Sequence, residues 1–210
     1  MMKLNLQYFG GRGSAGARSG GGGGIQVAST LDQEMSEMWS EQPDLYQALS
    51  DPERFEATKR QLMADGWDEE DVKEFKGYAD DLKNAAETGL SGQATLYRGE
   101  RFNSMKEAQA KYHVGAEIIT SQMTSYATEK SVAQNYANYY GKTPPKVVIT
   151  NTSTTGNFVG VRTNHLGIGA DEEAIVPKGV TSKVTSTRLD KASNTLYVTM
   201  ENSAKPRRKR

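Results

Sequence analysis

The stretch "GADEEAIVPKG", residues 169–179, sets three consecutive carboxylates, Asp171, Glu172 and Glu173, against the apolar run Ala174-Ile175-Val176. That run has the character of a buried strand, in which alternate side chains face alternate sides. Pro177 and Gly179 close it at once. Negative charge at the mouth of such a strand has two readings. It is a solvated acidic turn, or it holds a carboxylate in place for chemistry. A carboxylate held there can accept hydrogen bonds from sugar hydroxyls and stabilise a cationic sugar carbon, as an oxocarbenium-like transition state requires.

The strand belongs to the second half of a chain whose texture changes near Leu90. From Ile25 to about Glu87 the pattern is helical. In "SDPERFEATKRQLMADG", residues 50–66, Asp51 is placed as N-cap, Pro52 at the first helical position and Gly66 as the stop. In "WDEEDVKEFKGYADDLKNA", residues 67–85, a helix starts on Asp68, and Val72, Phe75, Ala79 and Leu82 form a core-facing stripe. After Leu90 come short strand-like runs: "ATLYR", "AEIIT", "KVVIT", "EAIVP", "VTSKVTS" and "TLYVTM". Two shorter helices lie among them. One is near "SMKEAQAKY". The other, "EKSVAQNYANYYG", is given Thr128 as N-cap and a shared face of Val132, Tyr136 and Tyr140. Helices first and many short strands after is an α+β order.

Composition narrows the chemistry. The 210 residues suit one domain of ordinary size. No apolar run approaches the ~20 residues of a membrane helix, and "MMKLNLQYFGG" lacks the apolar stretch of a secretory signal. There is no cysteine, which excludes disulfides, thiolate metal sites and cysteine nucleophiles, and two histidines make no histidine-rich metal site. The formal net charge is zero, yet residues 31–90 hold 17 acidic and six basic side chains. The excess acid leaves the terminal "KPRRKR" as the one basic tract for nucleic acid or an acidic partner, unless it is a solubilising tail.

The glycine-rich residues 10–24 form a flexible linker. Before them, "LNLQYFGG" is a docking tag for a partner or a frayed end. The chain therefore divides into a leader (1–24), one domain (25–203) and a basic tail (204–210).

Two further stretches carry chemical potential. In "TLYRGE", residues 95–100, strand alternation sends Leu96 and Arg98 to one face. An arginine there is a surface residue or a phosphate ligand, since guanidinium donates two parallel hydrogen bonds. Gly99 beside it allows a ligand close to the backbone. In "MTSYATEKSVAQNYA", residues 123–137, hydroxyls leave a strand-like segment and enter a helix. Cap and turn chemistry accounts for Thr128 but less well for Ser125.

In this order the three stretches resemble the arginine–serine–glutamate class of ADP-ribosyltransferases. "LYRGE" resembles the strand that carries the family's arginine, Arg98. "MTSYATEKSVAQNYA" resembles its serine-bearing segment and following helix, with Ser125 as the first serine. Tyr126 and Ala127 stand where the family has threonine and serine. "DEEAIVPKG" resembles its glutamate motif, with Glu173 as the catalytic residue and Asp171 where the family has Glu or Gln. The match spans about Ala94 to Met200.

The resemblance implies N-terminal helices followed by two small packed sheets around a cleft for NAD, which is a substrate, with no metal. It implies that Arg98 clamps the pyrophosphate, Ser125 orients Glu173 or the nicotinamide ribose, and Glu173 stabilises positive charge as nicotinamide leaves. Tyr126 packs on the nicotinamide or belongs to the core. Asp171 lies in the loop that engages the acceptor, and a carboxylate there suits an arginine of an acceptor protein. Water as acceptor would make the protein an NAD glycohydrolase. "LNLQYFGGRG" resembles the leader of phage head-associated proteins. That implies a phage-encoded protein in the host cytoplasm or the virion, with a head partner for residues 1–10, and allows a non-catalytic virion protein that retains the fold. Neither a membrane nor nucleic acid is expected as a partner.

Overall fold

A computed structural model of the protein describes residues 39, 42–88, 95–138, 145–152, 161–162 and 173–203. The leader, the basic tail, Tyr140, Asp171 and Glu172 lie outside them.

The helical part contains α1 (Pro43–Ser50), α2 (Pro52–Ala64) and α3 (Glu69–Thr88). Local chemistry sets their ends. The Asp51 carboxylate accepts from the Glu53 N–H at 3.0 Å and starts α2, a cap worth about 1 kcal/mol. Gly66, at φ +100°, ends it. There the Trp67 N–H donates to Leu62 O and the Gly66 N–H to Met63 O, the paired closure of a Schellman motif. Asp68 accepts from the Asp71 N–H at 2.8 Å and opens α3. Val72, Ala79 and Leu82 are buried as the stripe requires, and Phe75 is half-buried.

The remaining elements are β1 (Thr95–Arg101), α4 (Met105–Lys111), β2 (Glu117–Ile119), β3 (Thr124–Ala127), α5 (Lys130–Asn138), β4 (Lys146–Thr152), β5 (Val161–Arg162), β6 (Glu173–Val176), β7 (Thr181–Asp190) and β8 (Thr195–Ser203). All six expected strand runs are strands. They form one hydrogen-bonded order, β2-β7-β8-β4-β1-β3-β6-β5, whose two halves meet at a narrow joint. β1 and β3 share only the pair Tyr97–Ala127, whereas β1 and β4 pair over seven residues.

The halves share a core. Leu96, Val147, Ile149, Val184, Leu196, Val198 and Met200 from one half pack with Tyr126, Ala174 and Val176 from the other. The opposite face of the small half meets the helices, where Met123 and Ile175 join Trp39, Tyr46, Leu49, Ala79, Leu82 and Ala86. On the outer face of β1 lies α5. Its buried residues are Ala133 and Ala137, one position round from the expected face of Val132 and Tyr136, both of which are half-buried. The reason is Gly99. A Cβ on Gly99 would stand 2.1 Å from the Ala133 carbonyl oxygen and 2.8 Å from the Ala137 nitrogen. Two small residues over a glycine let the helix backbone settle on the strand.

Candidate active site

Arg98 lies where β1 and β3 part. Beyond the Tyr97–Ala127 pair the ladder lapses, and the Ser125 carbonyl accepts instead from Arg98 Nη1 at 2.6 Å. Arg98 Nε donates to Glu100 Oε1 at 3.1 Å. Strand alternation explains that pair, because Arg98 and Glu100 are two residues apart on one face. Glu100 Oε2 accepts from the Tyr112 hydroxyl at 2.7 Å and from Lys111 Nζ at 3.1 Å.

Burial works against both charges at this site, and pairing outweighs it. The Glu100 carboxylate holds the Arg98 pKa above its ordinary value. Although burial would raise the Glu100 pKa, Arg98 foremost, then Lys111 and Tyr112, hold it below the usual carboxylate range. The stabilisation Glu100 provides is thus complete above the ordinary glutamate pKa. It is lost as pH falls through the lowered folded value. The Tyr112 and Tyr126 phenols are pushed up, first by burial.

Ser125 is fixed at two points. Its carbonyl holds Arg98, and its Oγ accepts from the indole Nε1 of Trp39 at 3.1 Å. A hydroxyl that accepts in this way keeps its own proton to donate. Ser125 pairs with Ile175, and Ala127 with Glu173. Glu173 is the first residue of β6 and stands two register positions from Ser125. The three residues named from sequence lie on β1, β3 and β6, which are consecutive in the sheet.

The structure also places Gly99 and Tyr126. The close approach that Gly99 permits is used by α5 rather than by a ligand, because Ala133 and Ala137 occupy that space. Tyr126 is core, 5% exposed, on the face of β3 opposite Ser125.

No family model matches the sequence, and no curated protein matches it. Solved structures do. The ADP-ribosyltransferase Vis in complex with agmatine matches at a TM-score of 0.55, with 16% identity over 87% of this chain and 78% of that one. The Vis toxin, an ADP-ribosyltransferase from Vibrio splendidus, matches at 0.55, with 18% identity over 82% of this chain and 72% of that one.

The fold is that of the ADP-ribosyltransferases. Within an ADP-ribosyltransferase fold, sequence reasoning named Arg98, Ser125 and Glu173 but gave no role to Glu100, Tyr112, Lys111 or Trp39. Glu100 had a usable signal, since it shares strand parity with Arg98. Trp39 is 86 residues from Ser125, and nothing local announces the contact.

Proposed function

We propose that this protein transfers ADP-ribose from NAD to a protein acceptor and releases nicotinamide. The observation that carries the reading is the state of Arg98. Its guanidinium has five N–H groups, of which one meets Glu100 and one the Ser125 carbonyl. Among the described residues no acceptor meets the other three. The side chain is 27% exposed, so a ligand can reach it. Such a fixed cationic fork suits a pyrophosphate.

The Ser125 hydroxyl, set by Trp39, donates to the Glu173 carboxylate or to the nicotinamide ribose. Glu173 accepts from the ribose 2′-hydroxyl and stabilises the sugar cation as the glycosidic C–N bond breaks and its electron pair leaves with nicotinamide. A nucleophile then attacks the sugar carbon and loses a proton. Asp171 docks a guanidinium acceptor. Agmatine, bound by Vis, is a guanidinium amine, which favours that acceptor class here.

The test is labelled NAD with a cell lysate, with free nicotinamide measured and the modified residue identified by mass spectrometry. Label on arginine supports the proposal. Nicotinamide release without label makes the protein an NAD glycohydrolase, and no release leaves a non-catalytic protein with this fold. Asp171→Ala should cut protein labelling sharply while most NAD hydrolysis persists, because water needs no docking carboxylate. Glu172→Ala should leave both rates near wild type. Unchanged labelling by Asp171→Ala would remove the acceptor role.

The leader extends the proposal. Its resemblance to phage head-associated leaders favours a phage-encoded enzyme that docks on a virion partner through residues 1–10. A glycine-rich tether transmits no packing. Deleting residues 1–24 should therefore leave nicotinamide release intact and abolish co-sedimentation with phage heads. Lost turnover in a folded truncation would make the leader part of the domain. No helix among the described residues is long and apolar enough to cross a membrane.

A further inference from the structure

We propose that Glu100 is a positioning residue for NAD binding, which holds the Arg98 fork in its working plane, and that Lys111 keeps the cluster cationic. The inference rests on the functional reading above and adds residues to its site.

A carboxylate beside a site for an anionic ligand is costly by itself. It repels phosphate, and a buried ion pair of this kind is often matched in stability by apolar residues of similar volume. Its presence calls for a gain elsewhere, and the contacts indicate which. Arg98 is a long side chain whose usefulness depends on a preset plane. Glu100 takes Nε from β1 itself, and the Ser125 carbonyl takes Nη1 from β3. Two contacts from two strands define the guanidinium plane and leave the rest of the Nη edge for a ligand.

Glu100 is itself held from outside the strand. Tyr112, 2% exposed, follows directly on α4 and donates its hydroxyl to Oε2. Its ring packs edge-on to Phe102 at 6.0 Å. Lys111, in the last turn of α4, donates to the same oxygen, and its ammonium lies over the Phe102 and Tyr112 rings at 5.4 and 4.9 Å. With Glu100 ionised, Arg98 and Lys111 leave the cluster one net positive charge. Without Lys111 the cluster would be neutral toward a pyrophosphate.

The experiment measures nicotinamide release and calorimetric NAD binding for wild type, Glu100→Gln, Tyr112→Phe and Lys111→Gln, with melting temperatures alongside. Glu100→Gln should raise KM and the Kd for NAD about tenfold, the scale of one charged hydrogen bond, with kcat little changed. Tyr112→Phe keeps the packed ring and should shift both constants in the same direction by less. Lys111→Gln, at a half-exposed position, should weaken NAD binding at low salt and much less at high salt, with the melting temperature near wild type. A lowered melting temperature for Glu100→Gln with KM and Kd unchanged in the folded protein would make Glu100 purely structural and overturn the proposal. If Glu100→Gln does not fold, unchanged constants for both Tyr112→Phe and Lys111→Gln would do the same. A wild type that neither binds NAD nor releases nicotinamide removes the functional reading, and this inference with it.

Discussion

Glu173→Gln should slow nicotinamide release by about 10²–10³-fold or more, the cost of removing one preorganised electrostatic contact to developing charge. The substitution keeps shape and removes the negative charge that a sugar cation needs. Glu173 begins β6 opposite Ala127, with Ile175 opposite Ser125. The ladder continues from there, so the strand should form as before. NAD binding should survive, because the contacts that hold Arg98 come from β1 and β3. Release rates under saturating NAD and a separate binding isotherm distinguish the two effects. Full nicotinamide release by the variant would overturn the catalytic assignment.

Gly99→Ala should be strongly destabilising. The added Cβ would meet the Ala133 carbonyl oxygen at 2.1 Å and the Ala137 nitrogen at 2.8 Å, both of them backbone atoms. No side chain can rotate away, so α5 must lift from β1. Overpacking of this sort costs about 3 kcal/mol, or a melting temperature lower by roughly 6–12 °C at this chain length. Because α5 follows directly on the segment that carries Ser125, turnover should fall as well. Gly77→Ala is the contrasting case. Gly77 is exposed inside α3 with nothing within 4 Å of an added Cβ. That substitution should stabilise by about 0.5–1 kcal/mol, since alanine loses less backbone freedom in a helix. Thermal melts of the two variants should move in opposite directions. No change for Gly99→Ala would mean that α5 is not seated on the glycine.

Several features of the molecule are local and were legible as such. Asp51, Gly66 and Asp68 mark helix ends because a cap or a Schellman closure is made within a few residues of itself. The strand runs were legible as short apolar and β-branched stretches set between turn residues. β4, covered on both faces, is apolar without a break from Val147 to Ile149. β3 was harder, being four residues long with only Tyr126 buried. Pairing with β6 makes it a strand, and pairing partners are not written locally. The face of α5 was misjudged for a related reason. Tyr136 and Val132 are the bulky residues, but contact with Gly99 selects small ones.

The candidate site divides along the same line. Taken singly, Arg98 and Glu173 each admit a plain surface or turn reading, and it is the order of the three motifs, through the family they resemble, that singled out Arg98, Ser125 and Glu173. The α+β class and the order of the three motifs follow from the sequence by itself, because strand character and caps act over a handful of residues, whereas the roles of the three residues came with the resemblance. Only the tertiary structure decided that β1, β3 and β6 are neighbours and that Tyr126 turns into the core. It alone showed that a helix fills the space over Gly99, and that Glu100, Tyr112, Lys111 and Trp39 hold the serine and the arginine in place. Those facts depend on which segments meet across 11 to 86 residues of chain. Long-range contact is selected by the packing of the whole core, which no local stretch encodes.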